Sequence, residues 1–330
     1  MPEPEQIIEL ADNAAGLRGF IVIDDSTLGP AAGGTRTRRY ESAVDALADA
    51  KQLARAMTLK CAIAGLSVGG GKAVVIDDGS LDRGAVFAAL GTIVEQLGGQ
   101  FYTAGDLGTT AEDLAVMASR SQYVRTDESA LAAAVARGHL RCVQACAAAR
   151  GRQVAGLRIA VQGCGAIGAA VARALAGAGA QLVLADADGV RAAVLANELD
   201  ADTTGPDAIL TAAVDLVAPC AIGRVMTVDI AHALQAWALC GAANNILASP
   251  EVDRVLAARS ILHVPDIVAS AGGVIEGAGE RIMKLADRTP LIDALGTTAR
   301  EILAEAARTG HTPTEIAEAL ALARISGGAC

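Results

Sequence analysis

Two lysines lie twelve residues apart in an apolar, glycine-rich segment, and they are well suited to chemistry. The segment reads Lys60-Cys-Ala-Ile-Ala-Gly-Leu-Ser-Val-Gly-Gly-Gly-Lys72. An ammonium group in apolar surroundings is poorly hydrated, so its pKa tends to fall. Such a lysine can act as a base near neutral pH, or can hold a carboxylate where water is scarce. The three glycines before Lys72 also let a small molecule approach the backbone closely.

The glycines before Lys72 also suggest a loop that binds nucleotide phosphates, but that motif fails at both ends. It requires a glycine where this chain has Leu66, and a Ser or Thr after the lysine to reach magnesium. Ala73 occupies that second position. The sequence therefore does not predict a kinase or an ATPase.

A second motif, Gly163-Cys-Gly165-Ala-Ile-Gly168, stands in the order typical of dinucleotide binding. An apolar strand pattern at 157–162 precedes it, and a helical pattern at 169–178 follows. A second strand pattern at 181–185 then leads to Asp186. The glycines permit a tight turn, close approach of a pyrophosphate and close packing of the helix, whose N-terminus favours an anion.

The same motif predicts which cofactor is bound. We expect the turn residues to contact it, namely Gly163, Gly165, Ala166, Ile167 and Gly168. Asp186 lies 23 residues after Gly163, where a carboxylate can accept a hydrogen bond from the adenine ribose. Its negative charge would repel a 2′-phosphate, so the sequence predicts NAD rather than NADP.

Alternating strand and helix patterns surround both motifs and predict an α/β fold. In the first half, strands are predicted at 17–23, 74–76 and 100–104, helices at 41–58 and 83–97, and a loop at the glycine-rich 29–34. In the second half, further strands of a parallel sheet are predicted at 214–218, 239–240 and 261–264.

These patterns predict two α/β domains with a cleft between them. The substrate domain is predicted over residues 1–135, with the C-terminal helices of 290–330 packing back on it. The second domain, over 136–289, is predicted to be a Rossmann domain that binds NAD.

Composition excludes several classes of partner. Of the 330 residues, 52% are apolar and only 2% aromatic, which predicts aliphatic cores. The net charge of −10 argues against nucleic acids and anionic membranes, because phosphate neutralisation needs clustered Lys and Arg. The acidic N-terminus does not resemble a signal peptide. Seven cysteines in apolar segments suit reduced thiols in the cytoplasm, and Cys142 and Cys146 lack the further ligands that a metal would need.

Seven motifs, in order, resemble the glutamate/leucine/phenylalanine/valine dehydrogenases, most strongly the leucine and phenylalanine branch. The resemblance covers the chain from Gly16 to about Gly310. Its motifs are Gly29-Pro-Ala-Ala-Gly-Gly-Thr-Arg36, Met57-Thr-Leu-Lys60, Gly69-Gly-Gly-Lys72, Thr103-Ala-Gly-Asp106-Leu-Gly-Thr-Thr110, Ala218-Pro-Cys-Ala221, Gly241-Ala-Ala-Asn-Asn245 and Pro265-Asp-Ile-Val-Ala-Ser-Ala-Gly-Gly-Val274. The resemblance implies reversible oxidative deamination of an L-amino acid to a 2-oxo acid and ammonia, with hydride passing to NAD.

The resemblance also implies roles for residues of the first domain. Lys60 would pair with the substrate carboxylate, and Lys72 would activate the water that attacks the imine. Asp106 would carry protons to and from the amine. Gly33 and Gly34 would let the backbone touch the carboxylate. An alternative interpretation makes Asp106 a helix cap, because Thr109-Thr110-Ala-Glu-Asp begins a helix nearby.

In the second domain, the resemblance implies that Asn245 bridges substrate and cofactor and that Asn244 contacts the cofactor. Cys220 and Ala221 would line the nicotinamide ribose. The side-chain pocket would be formed by Ala32, Ala104, Val274 and Gly277. Most of these residues are very small and none is basic, which predicts a bulky apolar or aromatic, phenylalanine-like substrate and disfavours glutamate.

The chain departs from the family in three places. Ser270 replaces an asparagine, and the alanine-rich segment 127–141 replaces a longer loop, with His139 near the position of a threonine. The C-terminus also stops early, at Gly327-Gly328-Ala-Cys330. His139 is interpreted as a packed or surface histidine rather than a new acid or base.

Two alternatives to the dehydrogenase stay open. One is a biosynthetic family member that acts on an unusual 2-oxo acid or imine, and the other is a catalytically idle NAD-binding protein. The presence of Lys60, Lys72 and Asp106 together argues against the second, because a binder needs none of them. We also expect a homo-oligomer, with a dimer favoured.

Overall fold

The computed structural model describes residues 3–127 and 129–327, and the chain forms two compact units. The described part of the first unit contains the chain up to residue 127, Gly277–Leu285, and the residues from Leu322 to 327. The second unit contains residues 129–276 and Ala286–Ala321. Each unit is built on one β-sheet.

The first unit contains a five-stranded mixed sheet. Its strands are β1 (Gln6–Asp12), β2 (Leu17–Asp25), β3 (Ala31–Arg38), β4 (Gly69–Ile76) and β5 (Phe101–Gly105), and its helices are α1 (Ala43–Ile63), α2 (Arg83–Gln96) and α3 (Ala111–Ala118). The strand order is β1-β2-β4-β3-β5, with β3 parallel to both β4 and β5. Consequently the carboxyl ends of β3, β4 and β5 lie at one edge of the sheet.

The glycine-rich segment 29–34 was predicted to be a loop, and this prediction is wrong from Ala31 onward. Gly33 and Gly34 lie inside β3 and pair with Thr103 and Ala104 of β5. The reason is close packing of the backbone, since a Cβ atom at Gly33 would overlap the carbonyl oxygen of Gly71. Glycine in a strand often marks such an approach of another backbone.

The second unit contains a six-stranded parallel sheet. Its strands are β6 (Arg158–Gln162), β7 (Gln181–Ala185), β8 (Asp202–Thr203), β9 (Leu216–Pro219), β10 (Ala238–Cys240) and β11 (Leu262–Val264). The order β11-β10-β9-β6-β7-β8 is that of the Rossmann sheet, in which the strand order reverses beside the first strand. This order confirms the predicted α/β class and the Rossmann character of the second half.

The remaining helices follow in chain order. They are α4 (Leu131–Ala149), α5 (Ala166–Gly177), α6 (Gly189–Leu199), α7 (Val228–Ala233), α8 (Pro250–Ala258), α9 (Asp266–Ala269), α10 (Gly272–Arg281), α11 (Thr289–Thr309) and α12 (Pro313–Ile325), with a short 3₁₀-helix at Ile209–Thr211. None of the helices in the described residues is long and apolar enough to cross a membrane.

Helix α11 packs along α4 in the second unit, which differs from the predicted return of 290–330 to the first domain. Two glycines allow the close approach of these helices. A Cβ atom at Gly138 of α4 would lie 2.7 Å from Leu295 Cδ1, and one at Gly296 of α11 would lie 2.9 Å from Arg141 Cβ. Of the described residues in this stretch, only those from Leu322 onward group with the first unit.

The chain has a single tryptophan, Trp237, which belongs to the second unit. Its indole N–H donates to Asp215 Oδ1 at 2.9 Å. The guanidinium carbons of Arg150 and Arg152 lie 5.9 and 6.0 Å from its ring centroid. The cysteines that the structure describes are free thiols, while Cys330 lies outside the described residues.

Candidate active site

Lys72 and Asp106 form a largely buried ion pair on the first sheet. Lys72 lies in β4 and Asp106 directly follows β5, with 2.8 Å between Lys72 Nζ and Asp106 Oδ2. Only 7% of the lysine side chain and 21% of the aspartate side chain are exposed. Gly34 of β3 lies between them, because a Cβ atom there would be 3.1 Å from Lys72 Nζ and 2.9 Å from Asp106 Cβ. Glycine at this position therefore leaves the space that the ion pair occupies.

The two groups of this ion pair have shifted pKa values. Burial lowers the pKa of Lys72, and the neighbouring Asp106 only partly opposes this effect. Burial alone would raise the pKa of Asp106, but the charges of Lys72 and Arg36 outweigh it and lower that pKa to about 2. Asp106 is therefore a carboxylate near neutral pH, and Lys72 is a cation that releases its proton more readily than an exposed lysine.

Three further residues, to which the sequence patterns gave no role, extend this ion pair. Arg36 Nε donates to Asp106 Oδ2 at 2.9 Å, and Arg36 Nη1 lies 3.3 Å from Asp49 Oδ2. The Tyr40 hydroxyl donates to the same Asp49 oxygen at 2.6 Å. Arg36 follows Gly34 by two residues along β3, so both face the same side of the sheet. The two-residue spacing of Gly34 and Arg36 would indicate a shared face of a strand. It was not recognised because 29–34 was predicted to be a loop.

Asp106 is not a helix cap, so that alternative interpretation is wrong. Helix α3 is capped instead by Thr110, whose hydroxyl accepts from the backbone N–H of Asp113. The Asp113 carboxylate in turn accepts from the Thr110 backbone N–H at 2.7 Å, which completes a capping box. Asp106 is thus available for the ion pair with Lys72.

The other residues predicted to bind substrate divide between the two units. Lys60 is buried in the last turn of α1, which packs along β4. Ala32, Gly33, Gly34 and Ala104 lie together on the paired strands β3 and β5. Gly277 also belongs to the first unit, where a Cβ atom would lie 3.0 Å from Nη1 of the buried Arg125. Asn245 and Val274 belong to the second unit.

The predicted cofactor turn has the backbone geometry that a pyrophosphate requires. Gly163 has φ +96°, and a Cβ atom there would lie 2.7 Å from Ala221 Cβ. A side chain at Gly168 would overlap the Gly163 carbonyl oxygen and approach Cys220 Cβ to 3.3 Å. Gly165 is the N-cap of α5 and faces open space, so an anion can reach the first N–H groups of that helix. The structure thus brings the glycine turn together with Cys220 and Ala221.

Asp186 lies directly after β7, and its carboxylate is fixed by backbone groups. Its Oδ2 accepts from the Cys164 N–H at 2.6 Å, and its Oδ1 accepts from the Asp188 N–H at 2.8 Å. Burial alone would raise the pKa of Asp186, but these N–H groups and Arg191, 3.5 Å away, lower it. An ionised carboxylate is therefore held beside the turn, which fits a dinucleotide whose ribose offers hydroxyl groups.

Asn244 and Asn245 follow β10 in a segment held by Asp266. Asn245 has φ +52°, and its N–H donates to Asp266 Oδ2 at 2.9 Å. Ser270 donates to the Asp266 carbonyl oxygen at 2.6 Å and lies 3.5 Å from Asn244 Oδ1. Ser270 therefore contacts Asn244, which is a predicted cofactor-binding residue of the same unit.

His139 is fully buried on α4, where its Nε2 lies 2.9 Å from the carbonyl oxygen of Cys240. Burial lowers its pKa to about 4, so the ring is neutral near neutral pH. His139 is therefore a packed histidine, as the sequence indicated.

Comparison with known proteins assigns the chain to a family. Residues 4–123 match the sequence model described as Glu/Leu/Phe/Val dehydrogenase, dimerisation domain, and residues 183–289 match Glutamate/Leucine/Phenylalanine/Valine dehydrogenase. Leucine dehydrogenase from Thermoactinomyces intermedius is 36% identical over 84% of this chain and 78% of its own length. Phenylalanine dehydrogenase from Bacillus thermotolerans is 36% identical over 85% and 77%.

A solved structure agrees with these sequence relatives. The crystal structure of L-tryptophan dehydrogenase from Nostoc punctiforme superposes with a TM-score of 0.86 and 32% identity, covering 98% of this chain and 96% of that chain. The chain therefore belongs to the Glu/Leu/Phe/Val dehydrogenases, a family of NAD-dependent amino acid dehydrogenases.

Proposed function

We propose that this protein catalyses the NAD-dependent, reversible oxidative deamination of an L-amino acid with a bulky apolar or aromatic side chain. The observation that carries the proposal is the largely buried ion pair of Lys72 and Asp106, which occupies the space that Gly34 leaves beside it. When bound, NAD supplies the hydride acceptor. The residues of the chain must then hold the carboxylate of the amino acid and move its protons.

The roles of the first-unit residues follow from their charges. Lys60, buried at the end of α1, supplies the fixed cation for the substrate carboxylate. Lys72 has the lowered pKa that a base needs, and it activates the water that attacks the imine. Asp106 is ionised and accepts a proton from the substrate ammonium group, which frees the nitrogen lone pair. Each group thus performs one step that hydride transfer or imine hydrolysis requires.

The side-chain pocket supports an aromatic substrate. Ala32, Ala104 and Gly277 occupy little volume, which leaves space for a ring. The similarity to L-tryptophan dehydrogenase from Nostoc punctiforme, whose structure and this chain cover each other at 96% and 98%, supports the same substrate class.

A panel of amino acids tests the proposed function. We expect NADH formation at alkaline pH to be fastest with L-phenylalanine or L-tryptophan, slower with L-leucine, and negligible with L-glutamate. The measurement is the initial rate of NADH absorbance, with NADP in parallel and heat-inactivated protein as the control. A preference for glutamate would overturn the pocket assignment. No turnover of any amino acid, with NADH still bound, would favour the unusual 2-oxo acid or imine, or the idle binder.

Cofactor choice should depend on the charge of Asp186. The variant Asp186→Asn keeps one oxygen for the Cys164 N–H but loses the charge that would repel a 2′-phosphate, and Arg191 is then no longer neutralised by it. We expect the ratio of kcat/KM with NADP to that with NAD to rise on the order of tenfold, about 1.4 kcal/mol. The control is Asp202→Asn, which removes an exposed carboxylate of the same unit that pairs with Arg158 rather than with Arg191. An unchanged ratio would show that Asp186 does not select the cofactor.

We also propose that the protein is a cytoplasmic homo-oligomer, with a dimer favoured. The match of residues 4–123 to a dimerisation domain supports self-association. The free, mostly buried thiols of the described residues suit a reducing compartment.

A further inference from the structure

The Lys72–Asp106 ion pair continues through Arg36 to Asp49, and these four side chains form a row of alternating positive and negative charges. The steps proposed above give no role to Arg36 and Asp49. Two cations converge on Asp106 Oδ2, with Lys72 Nζ at 2.8 Å and Arg36 Nε at 2.9 Å. Arg36 Nη1 then meets Asp49 Oδ2 at 3.3 Å, and the Tyr40 hydroxyl donates to that same oxygen at 2.6 Å. The row therefore links β4, β3 and the residue after β5 to helix α1.

Because these side chains are largely buried, their charges act on neighbouring groups over a longer distance than exposed charges would. The side chains of Arg36, Asp49 and Asp106 are only 17%, 22% and 21% exposed, so water screens them poorly. Arg36 does not lose its proton at any pH of interest. A fixed positive charge thus lies beside two groups that each take up and release a proton in the proposed steps.

We propose that Arg36 and Asp49 are positioning residues that determine where the proton rests between Lys72 and Asp106, with Tyr40 orienting Asp49. The inference rests on the proposed function, since it assigns a task to groups behind the same ion pair. Arg36 holds Asp106 as a carboxylate even when Lys72 is neutral. Asp49 in turn offsets part of the Arg36 charge, so that Lys72 is not deprotonated too early.

The two residues act on Lys72 with opposite sign. The Arg36 charge lowers the pKa of Lys72, whereas the Asp49 charge raises it. Removing Arg36 should therefore raise the pH above which Lys72 is a base, and removing the Asp49 charge should lower that pH. Among the described residues, the other buried charged groups on the elements packed against Lys72 are Lys60 of α1 and Asp24 of β2, and both are the same in every variant.

The test is the pH profile of kcat/KM for deamination of the best amino acid in the panel. We expect the limb that rises with pH to move upward by about one pH unit in Arg36→Gln and downward by about one unit in Asp49→Asn. Arg36→Lys retains the charge and should keep the limb near its wild-type position. Tyr40→Phe changes no charge and should move it less than Asp49→Asn does.

The matched control is Arg55→Gln. Arg55 pairs with Asp24 at 3.3 Å and is 17% exposed, the same fraction as Arg36, but Asp24 is not part of the row. A merely structural role of Arg36 would give the same result in both glutamine variants, with loss of stability and an unmoved limb. Should Arg36→Gln fail to fold, the near-isosteric Asp49→Asn carries the test alone.

The outcomes separate the inference from the proposed function. The inference is supported if the rising limb of the pH profile moves upward in Arg36→Gln and downward in Asp49→Asn but does not move in Arg55→Gln. Displacements in the same direction, or none, in an active enzyme overturn the inference and leave the dehydrogenase intact. Wild-type protein that turns over no amino acid overturns both.

Discussion

Replacing Lys72 with methionine should lower kcat/KM for oxidative deamination by about 10³-fold, while the Kd for NADH stays within about twofold. Methionine suits a side chain that is only 7% exposed, so the fold should tolerate the change. The loss arises because the base disappears and, among the described residues, Arg36 alone still pairs with Asp106. NADH affinity should persist, because the glycine turn and Asp186 belong to the second unit.

Steady-state kinetics and a fluorescence titration with NADH provide the two readouts. Lys51→Met is the control, because Lys51 is a more exposed lysine of α1 that pairs with Glu3. We expect that variant to change kcat/KM by less than about twofold, as is usual for exposed pairs. Activity within tenfold of wild type in Lys72→Met would refute the role of Lys72. NADH binding by a wild-type protein that turns over no amino acid would instead favour the unusual 2-oxo acid or imine substrate, or the idle binder.

The second large effect concerns folding. Replacing Gly33 with alanine should lower the free energy of unfolding by about 3 kcal/mol or more. The added methyl group would overlap the Gly71 carbonyl oxygen on the neighbouring strand, so β3 and β4 could not pair at their present separation. Since Lys72 follows Gly71 directly, the same displacement should also reduce activity.

Urea unfolding followed by far-ultraviolet circular dichroism measures this change in stability. Gly84→Ala is the matched control in the same unit, since a Cβ atom there meets only Asp82 Oδ1, at an ordinary 3.4 Å. Alanine near the start of α2 should leave stability unchanged or raise it by up to about 1 kcal/mol. Equal stabilities of the two variants would show that the strand pair tolerates a side chain at Gly33.

Local patterns predicted the second unit well. The glycine turn, its flanking strands and Asp186 lie within about thirty residues, so one stretch of sequence contains both the fold and the proposed cofactor site. The strand patterns around 214–218, 239–240 and 261–264 coincide with β9, β10 and β11. A buried parallel strand is a short apolar run, which is readable without knowing its neighbours.

Features that depend on distant partners could not be predicted in this way. Gly33 and Gly34 resemble a loop because the groups that require glycine there are distant in the sequence. A side chain at Gly33 would overlap the Gly71 carbonyl oxygen, and one at Gly34 would crowd the Lys72–Asp106 ion pair. Once β3 was missed, the alignment of Arg36 with Gly34 was concealed too. The place of α11 was missed for a related reason, because an amphipathic pattern gives a helix an apolar face but does not identify the helix it meets. Gly138 and Gly296 decide that contact.

The position of Trp237 gives this protein a built-in optical reporter. Because it is the only tryptophan and belongs to the second unit, selective excitation of its indole follows the unfolding of that unit alone. Circular dichroism, in contrast, averages over both units. A gap between the two melting curves would therefore measure how independently the Rossmann unit and the lysine-bearing unit unfold, without any label on the protein.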